Sequence, residues 1–120
     1  MQTFKFLIGG QLVDGATKSA VINPATEQPV ADAPRADAHQ INAAVAAARA
    51  AFPAWSAQSV EQRRQVLLKV ADVVESHADE LARLLTQEQG KPLMFARGEV
   101  GGLAAFFRYF ANLELPVKVV

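Results

Sequence analysis

Cysteine is missing from all 120 residues. That absence removes disulfides, thiolate–metal sites and thiol nucleophiles from the chemistry open to this chain. Net charge is missing too. Twelve basic residues balance twelve acidic ones, which leaves no electrostatic footprint for nucleic acid or an anionic membrane. No apolar run approaches the ~20 residues that cross a bilayer. The opening "MQTFKFLIGGQ" also lacks the long apolar core and small-residue cleavage site of a signal peptide. The expected partners therefore include neither nucleic acid nor membrane, and the expected location is the cytoplasm. Histidine is scarce: His39 and His77 stand far apart, near expected helix ends, where solvated or capping roles outweigh ligand or base roles. No Ser-His-Asp constellation and no metal-ligand spacing appears.

One stretch does suggest chemistry. "TQEQGKPLMFARGEV", residues 86–100, contains a Gly-Lys pair of the kind that cradles phosphate. A Walker loop needs an earlier glycine at fixed spacing and Ser or Thr after the lysine; this chain has Leu85 and Pro92 there. Gly90 instead ends a periodic apolar run, with Pro92 just beyond, which is the pattern of a helix C-cap. The stretch reads as a hinge between helices.

Apolar residues make up 51% of the chain and charged residues 20%, the balance of a globular protein. A chain of this length can bury roughly two-thirds of its unfolded surface. Residues 1–36 carry strand patterns. "FKFLI" and "QLV" flank Gly9-Gly10, a pair suited to a type I′ hairpin turn. Asp14-Gly15 marks a second turn, "SAVI" a short strand, "NPATEQP" a third turn, and "VADAPRA" an edge-like strand interrupted by proline. The sum is a small antiparallel hairpin or meander, too thin to stand without a partner surface.

At Asp37 the apolar period changes from that of a strand to that of a helix. Asp37 with Gln40, and Ser59 with Gln62, resemble capping boxes. Ile41, Ala44, Val45, Ala48 and Phe52 share one helical face. Pro53 is expected to stop that helix, with Trp55 plugging the bend after it. Val66, Leu67, Val70, Val73 and Val74 form the next stripe, continued by Leu81, Leu84 and Leu85. Ser76-His77-Ala78-Asp79 marks a break at which Ser76 and Asp79 could cap a new helix, and Asp79 could pair with Arg83 one turn on. Glu61, Asp72, Glu75, Asp79 and Glu80 read as solvated helix faces. The last helix, from about Pro92 to Leu113, is apolar nearly all round and so expects burial on several sides. Gly98, Gly101 and Gly102 interrupt it, either for close packing or to leave room beside a cavity. The fold class is thus α+β: an N-terminal antiparallel β-hairpin or meander followed by three to four mainly apolar α-helices. Residues 1–36 form the hairpin segment, 37–115 the helical segment, and 116–120 the start of a truncated strand, together one incomplete domain.

From Phe4 onward the chain resembles the N-terminal part of the NAD(P)-dependent aldehyde dehydrogenase superfamily. The ordered landmarks are "FLIGGQLVDG", "VINPATEQPVADAP", "INAAVAAARAAFPAWS", "EQRRQVLLKVADVVESHADELARLLTQEQGKPL", "ARGEV" and "FFRYFANL". The resemblance implies the first hairpin and outer helices of the cofactor-binding domain. In the family a cysteine thiolate attacks the aldehyde, hydride passes to the nicotinamide, and a glutamate-activated water hydrolyses the thioester. An asparagine side chain and a backbone amide steady the oxyanion. Those groups and the dinucleotide-binding residues belong to later segments, so no catalytic and no cofactor-binding residue is assigned here. NAD or NADP is the cofactor implied for the full-length enzyme, and none is expected in this chain.

Two roles carry over by the resemblance. Val21 and Ile22 match backbone carbonyls, and Glu88 matches a carboxylate, that hold a monovalent cation in many members. One further family ligand lies beyond residue 120, and a plain helix-end carboxylate is the competing role for Glu88. Gly98, Gly102 and Phe106 match the face that lines the substrate tunnel. The expected partner is the remainder of an aldehyde dehydrogenase polypeptide, in a homo-oligomer. Alone, the last helix would expose more than the few hundred Å² of apolar patch usual for monomers, and self-association through Phe106, Phe107 and Phe110 is expected. The alternative is a stand-alone helical interaction module derived from the same family.

Overall fold

The alternating segments before residue 36 form strands and the longer periodic segments after it form helices. The computed structural model describes residues 2–114. Five strands precede four helices: β1 (Gln2–Thr3), β2 (Phe6–Ile8), β3 (Gln11–Val13), β4 (Thr17–Ile22), β5 (Pro29–Arg35), α1 (Ala38–Ser56), α2 (Val60–Ser76), α3 (Ala78–Gln89) and α4 (Leu93–Asn112). The α+β class read from the sequence holds. The strand expected at residues 116–120 lies outside the described residues. Two compact units divide the chain: Met1–Ala57 with Leu85–Gly90, and Gln58–Leu84 with Lys91–Val120.

In the first unit, Gly9 and Gly10 both take positive φ, 59° and 80°, as a type I′ turn requires. They close the β2–β3 hairpin in the register Phe6↔Val13, Leu7↔Leu12, Ile8↔Gln11. β4 and β5 pair antiparallel around the Asn23–Gln28 turn. The expected meander is incomplete in one respect: β1 pairs in parallel with β5, so the three-stranded sheet runs β1-β5-β4 and β5 is its centre. The prolines explain why a central strand looked like an edge. β1 meets β5 only at Ala31 and Asp32, so Pro29 and Pro34 sit where that neighbour asks for no N–H.

Helix α1 starts where expected, but only half of the expected capping box forms. Asp37 accepts from the Gln40 backbone N–H at 2.8 Å, while the Gln40 side chain donates to Asp14 O and accepts from Ala16 N, pinning the second turn. The expected stop at Pro53 is corrected: Pro53 lies inside the helix, which runs on to Ser56. Proline forfeits one rung near the end, but Ala57 N–H still bonds Pro53 O and holds the final turn. Trp55 is therefore in that last turn, 41% exposed, rather than plugging a bend. The apolar face is corrected as well. Ile41, Val45 and Phe52 are 55–65% exposed, whereas Gln40, Ala43, Ala44 and Ala47 form the half-buried side, with Ala47 facing the Gly9 turn.

In the second unit α2 opens with a full capping box, Ser59 and Gln62 each bonding the other's backbone. It ends at Ser76, whose hydroxyl donates to Val73 O; Ser76 thus serves the end of α2 and does not cap α3. α4 lies along α2. Ala71 on α2 and Ala96, Val100, Ala104 and Ala111 on α4 are buried, small side chains that let the two backbones approach closely. Arginines secure both ends of this seam. Arg64 donates from Nε to Ala111 O at 2.6 Å and pairs with Glu61, covering a carbonyl at the C-terminus of α4. Arg108 reaches back to Glu75 and Asp72 at 2.5 and 3.0 Å. Those hydrogen bonds, to Glu75 first and then Asp72, raise its pKa above the usual arginine value. Asp79 pairs with Arg97 at 3.1 Å rather than with Arg83. Burial of α4 on several sides is not found: Met94, Phe95, Leu103, Phe106, Tyr109 and Phe110 are all exposed.

Candidate functional site

Two groups of residues fall where function was expected. The first, in the unit that includes residues 85–90, joins the end of β4 to the end of α3. The β4–β5 ladder shifts register between Val21 and Ile22, a bulge of the kind that re-aims backbone groups. Pro29, opposite Ile22, has no N–H to offer the Ile22 carbonyl, and β4 is an edge strand. After Ile22 the chain is locked by Asn23: its N–H bonds Gln28 O at 2.9 Å, its carbonyl accepts from Glu27 N at 2.8 Å, and its side chain accepts from Ala25 N. Glu27 takes φ of 58° to complete the turn.

Opposite stands the C-terminus of α3. Gly90 takes φ of 73° and donates to Thr86 O at 2.8 Å, the left-handed closure read from the sequence. A Cβ built on Gly90 would lie 2.8 Å from Pro24 Cγ, so the two turns are in direct contact. Thr86 Oγ1 is buried with no hydrogen-bond partner among the described residues, and Glu88 is exposed on the same turn of helix. Carbonyls of an edge strand and a carboxylate offer oxygen, the donor type that suits a weakly charged cation. Among the described residues no three His, Cys, Asp or Glu side chains cluster to hold a metal.

The second group is the outer face of α4. Gly98, Gly102 and Phe106 follow one another at one-turn spacing on it. Among the described residues, a Cβ added at Gly98, Gly101 or Gly102 would meet nothing within 4 Å, so packing among them does not account for these glycines. Phe106 stacks on Phe110 with centroids 6.0 Å apart, and Tyr109 meets Phe110 edge-on at 5.2 Å. Phe107 is only half-buried and lies toward the Ala104–Ala111 side, apart from the exposed trio.

Several of the other polar residues singled out in the sequence make structural contacts. The His77 ring Nδ1 lies 3.0 Å from Val73 O, and His77 is the C-cap of α2. Glu61, Asp72, Glu75 and Asp79 are engaged by arginines. A depression of about 720 Å³ at the start of α2 and end of α4 is lined by Val60, Leu67, Phe110 and Leu113, with Arg64 and Glu114, and pairs no nucleophile with a base. Sequence reasoning missed Arg64, Arg108, Thr86 and Pro24. A lone arginine inside the aromatic run "FFRYF" was the available pointer to Arg108; the others depend on contacts distant in sequence.

Comparison with known proteins adds the family. The sequence profile of the aldehyde dehydrogenase family matches residues 12–116. A probable aldehyde dehydrogenase of a Pseudomonas species is 43% identical over 97% of this chain and 24% of its own length. The NADP(+) succinate-semialdehyde dehydrogenase of Escherichia coli is 39% identical over 88% of this chain and 22% of its own. Among solved structures, an NAD-dependent aldehyde dehydrogenase from Sinorhizobium meliloti superposes with a TM-score of 0.89 at 35% identity, covering 92% of this chain and 23% of that one. PnpE in complex with nicotinamide adenine dinucleotide gives 0.86 at 36% identity, over 96% and 26%. This chain belongs to the aldehyde dehydrogenase family. It spans about a quarter of the length of the curated relatives it matches.

Proposed function

We propose that the chain works as the N-terminal segment of an NAD(P)-dependent aldehyde dehydrogenase, an enzyme oxidising an aldehyde to a carboxylic acid. The observation that carries this reading is a superposition of 0.89 over 92% of the chain but 23% of the enzyme. Its contribution is scaffolding: it supports the cofactor domain and forms part of the tunnel wall through Gly98, Gly102 and Phe106. The open space outside these glycines supports that role. The sequence supplies no thiol, so the isolated 120 residues are expected to give no NADH from any aldehyde. Absorbance growth above a blank with pure chain, NAD and a panel of aldehydes overturns the proposal.

The Val21 and Ile22 carbonyls with the Glu88 carboxylate contribute oxygen ligands to a monovalent cation in this reading. The remainder of the polypeptide is the partner, within a cytoplasmic homo-oligomer. Alone, the chain self-associates through Phe106 and Phe110, which are 64% and 53% exposed, with Phe107 contributing from their edge. Light scattering at rising concentration checks this; a monomer throughout rejects it. The same exposed aromatics favour the second reading, a free-standing interaction module. Reading the coding frame past Val120 separates the two. A frame supplying a cysteine and a glutamate in family context supports the enzyme, and a native stop codon supports the module.

A further inference from the structure

We infer that two copies of the 120-residue chain pair antiparallel through the outer face of α4, on a two-fold axis at Gly102; the inference rests on the self-association reading above and names its geometry. An α-helix turns about 100° per residue, so place on the face follows from number. Met94, Phe95, Gly98, Phe106, Tyr109 and Phe110 fall within about 80° of Gly102 on that count. The buried Ala96, Val100, Ala104 and Ala111 fall more than about 110° from it. The exposed face is thus centred on a glycine whose added Cβ would meet nothing within 4 Å.

The face is self-complementary about that centre. Gly98 and Phe106 lie four residues to either side of Gly102, Phe95 and Tyr109 seven, Met94 and Phe110 eight. A two-fold axis there brings the members of each pair level with one another across the interface. Phe106 of each copy enters the hollow bounded by Phe95, Gly98, Glu99 and Gly102 of the other, a knob in a four-residue hole. Two of those four positions carry no side chain, so the backbones can approach closely. Glu99, at the edge of the face, already pairs with Lys91 and is not left as an unpartnered charge. A parallel pair would set Phe106 on Phe106 and Phe110 on Phe110, holding the helices apart at one end while glycine met glycine at the other. It would also align the helix dipoles unfavourably. The four rings, on average about 60% exposed, offer about 480 Å² per copy at about 200 Å² each. With Met94, which is 72% exposed, two copies bury about 1,200 Å², the lower edge of stable interfaces.

The chain has no cysteine, so single introduced thiols report the pairing. Phe95→Cys and Tyr109→Cys are expected to form a disulfide-linked dimer when mixed. Neither is expected to cross-link with itself, because like positions stand about 21 Å apart along the helices, far beyond disulfide reach. Gly102→Leu puts bulk on the axis and is expected to weaken dimerisation in analytical ultracentrifugation about tenfold, the effect of disturbing a central contact. Gly101→Leu, about 100° round the helix, is expected to leave it unchanged. Self-cross-linking by either thiol variant alone, no mixed cross-link in a chain that still associates, or a dimer indifferent to Gly102→Leu overturns this pairing while self-association stands. A monomer at every concentration overturns self-association and the pairing together. Should Gly102→Leu lose helix content, the cross-linking pattern decides alone.

Discussion

Glycines in this chain divide by what surrounds them, and the division predicts opposite outcomes for one substitution. Gly90 is left-handed and pressed against Pro24, so Gly90→Ala is expected to destabilise by about 1–3 kcal/mol, the usual cost of backbone strain. Gly98 lies inside α4 with nothing within 4 Å of an added Cβ. Gly98→Ala should therefore stabilise by roughly 0.8–1 kcal/mol from helix propensity alone. Chemical denaturation of the two variants beside the parent checks both signs. Loss of stability in Gly98→Ala would mean that something does pack there. The left-handed role of Gly90 was legible in sequence because a periodic run, a glycine and a proline follow in order. Its contact with Pro24 was not, because nothing local records an approach between residues so distant along the chain.

At the scale of the element, the apolar period identified which side chains share a face but not which face would be covered. On α2, Leu67, Val70 and Val74 are half-buried as read, while Val66 and Val73 of the same stripe are 40% and 59% exposed. On α1 the stripe and the covered side share only Ala44, because Ala47, rather than Ile41, Val45 or Phe52, faces the Gly9 turn. Hydropathy reports the demand for burial, and the partner that answers it is a tertiary fact. The α2–α4 seam shows the converse: alanine carries little hydropathy, yet Ala71 and Ala104 are 0% and 1% exposed because close approach selects for small size. Ala104→Leu is expected to cost about 1–3 kcal/mol through overpacking, whereas Ala105→Leu, on the exposed side, should leave stability nearly unchanged. Thermal unfolding of this pair tests the placement of the seam.

At the scale of the whole molecule, fold and candidate site were legible in the sequence to different depths. The α+β class, the start of α2 at Ser59 and the Gly90 closure could be read locally, since caps and turns carry their own chemistry; the stop placed at Pro53 was wrong, because the helix runs on to Ser56. The proposed tunnel face and cation cradle rest on family resemblance alone, because glycines and backbone carbonyls have no sequence signature of their own. The parallel β1–β5 pairing was likewise out of reach: two residues of strand are too few to show a period.

The bare stripe on α1 also bears on the order of synthesis. A ribosome delivers Ile41, Val45 and Phe52 early, and no later part of the described chain shelters them. A nascent polypeptide would then offer holdase chaperones a grip at this helix. Replacing Ile41 and Val45 with glutamate should reduce chaperone co-purification during expression, while leaving the alanine side of the helix seated. Quantitative mass spectrometry of the purified material would show whether the grip is there.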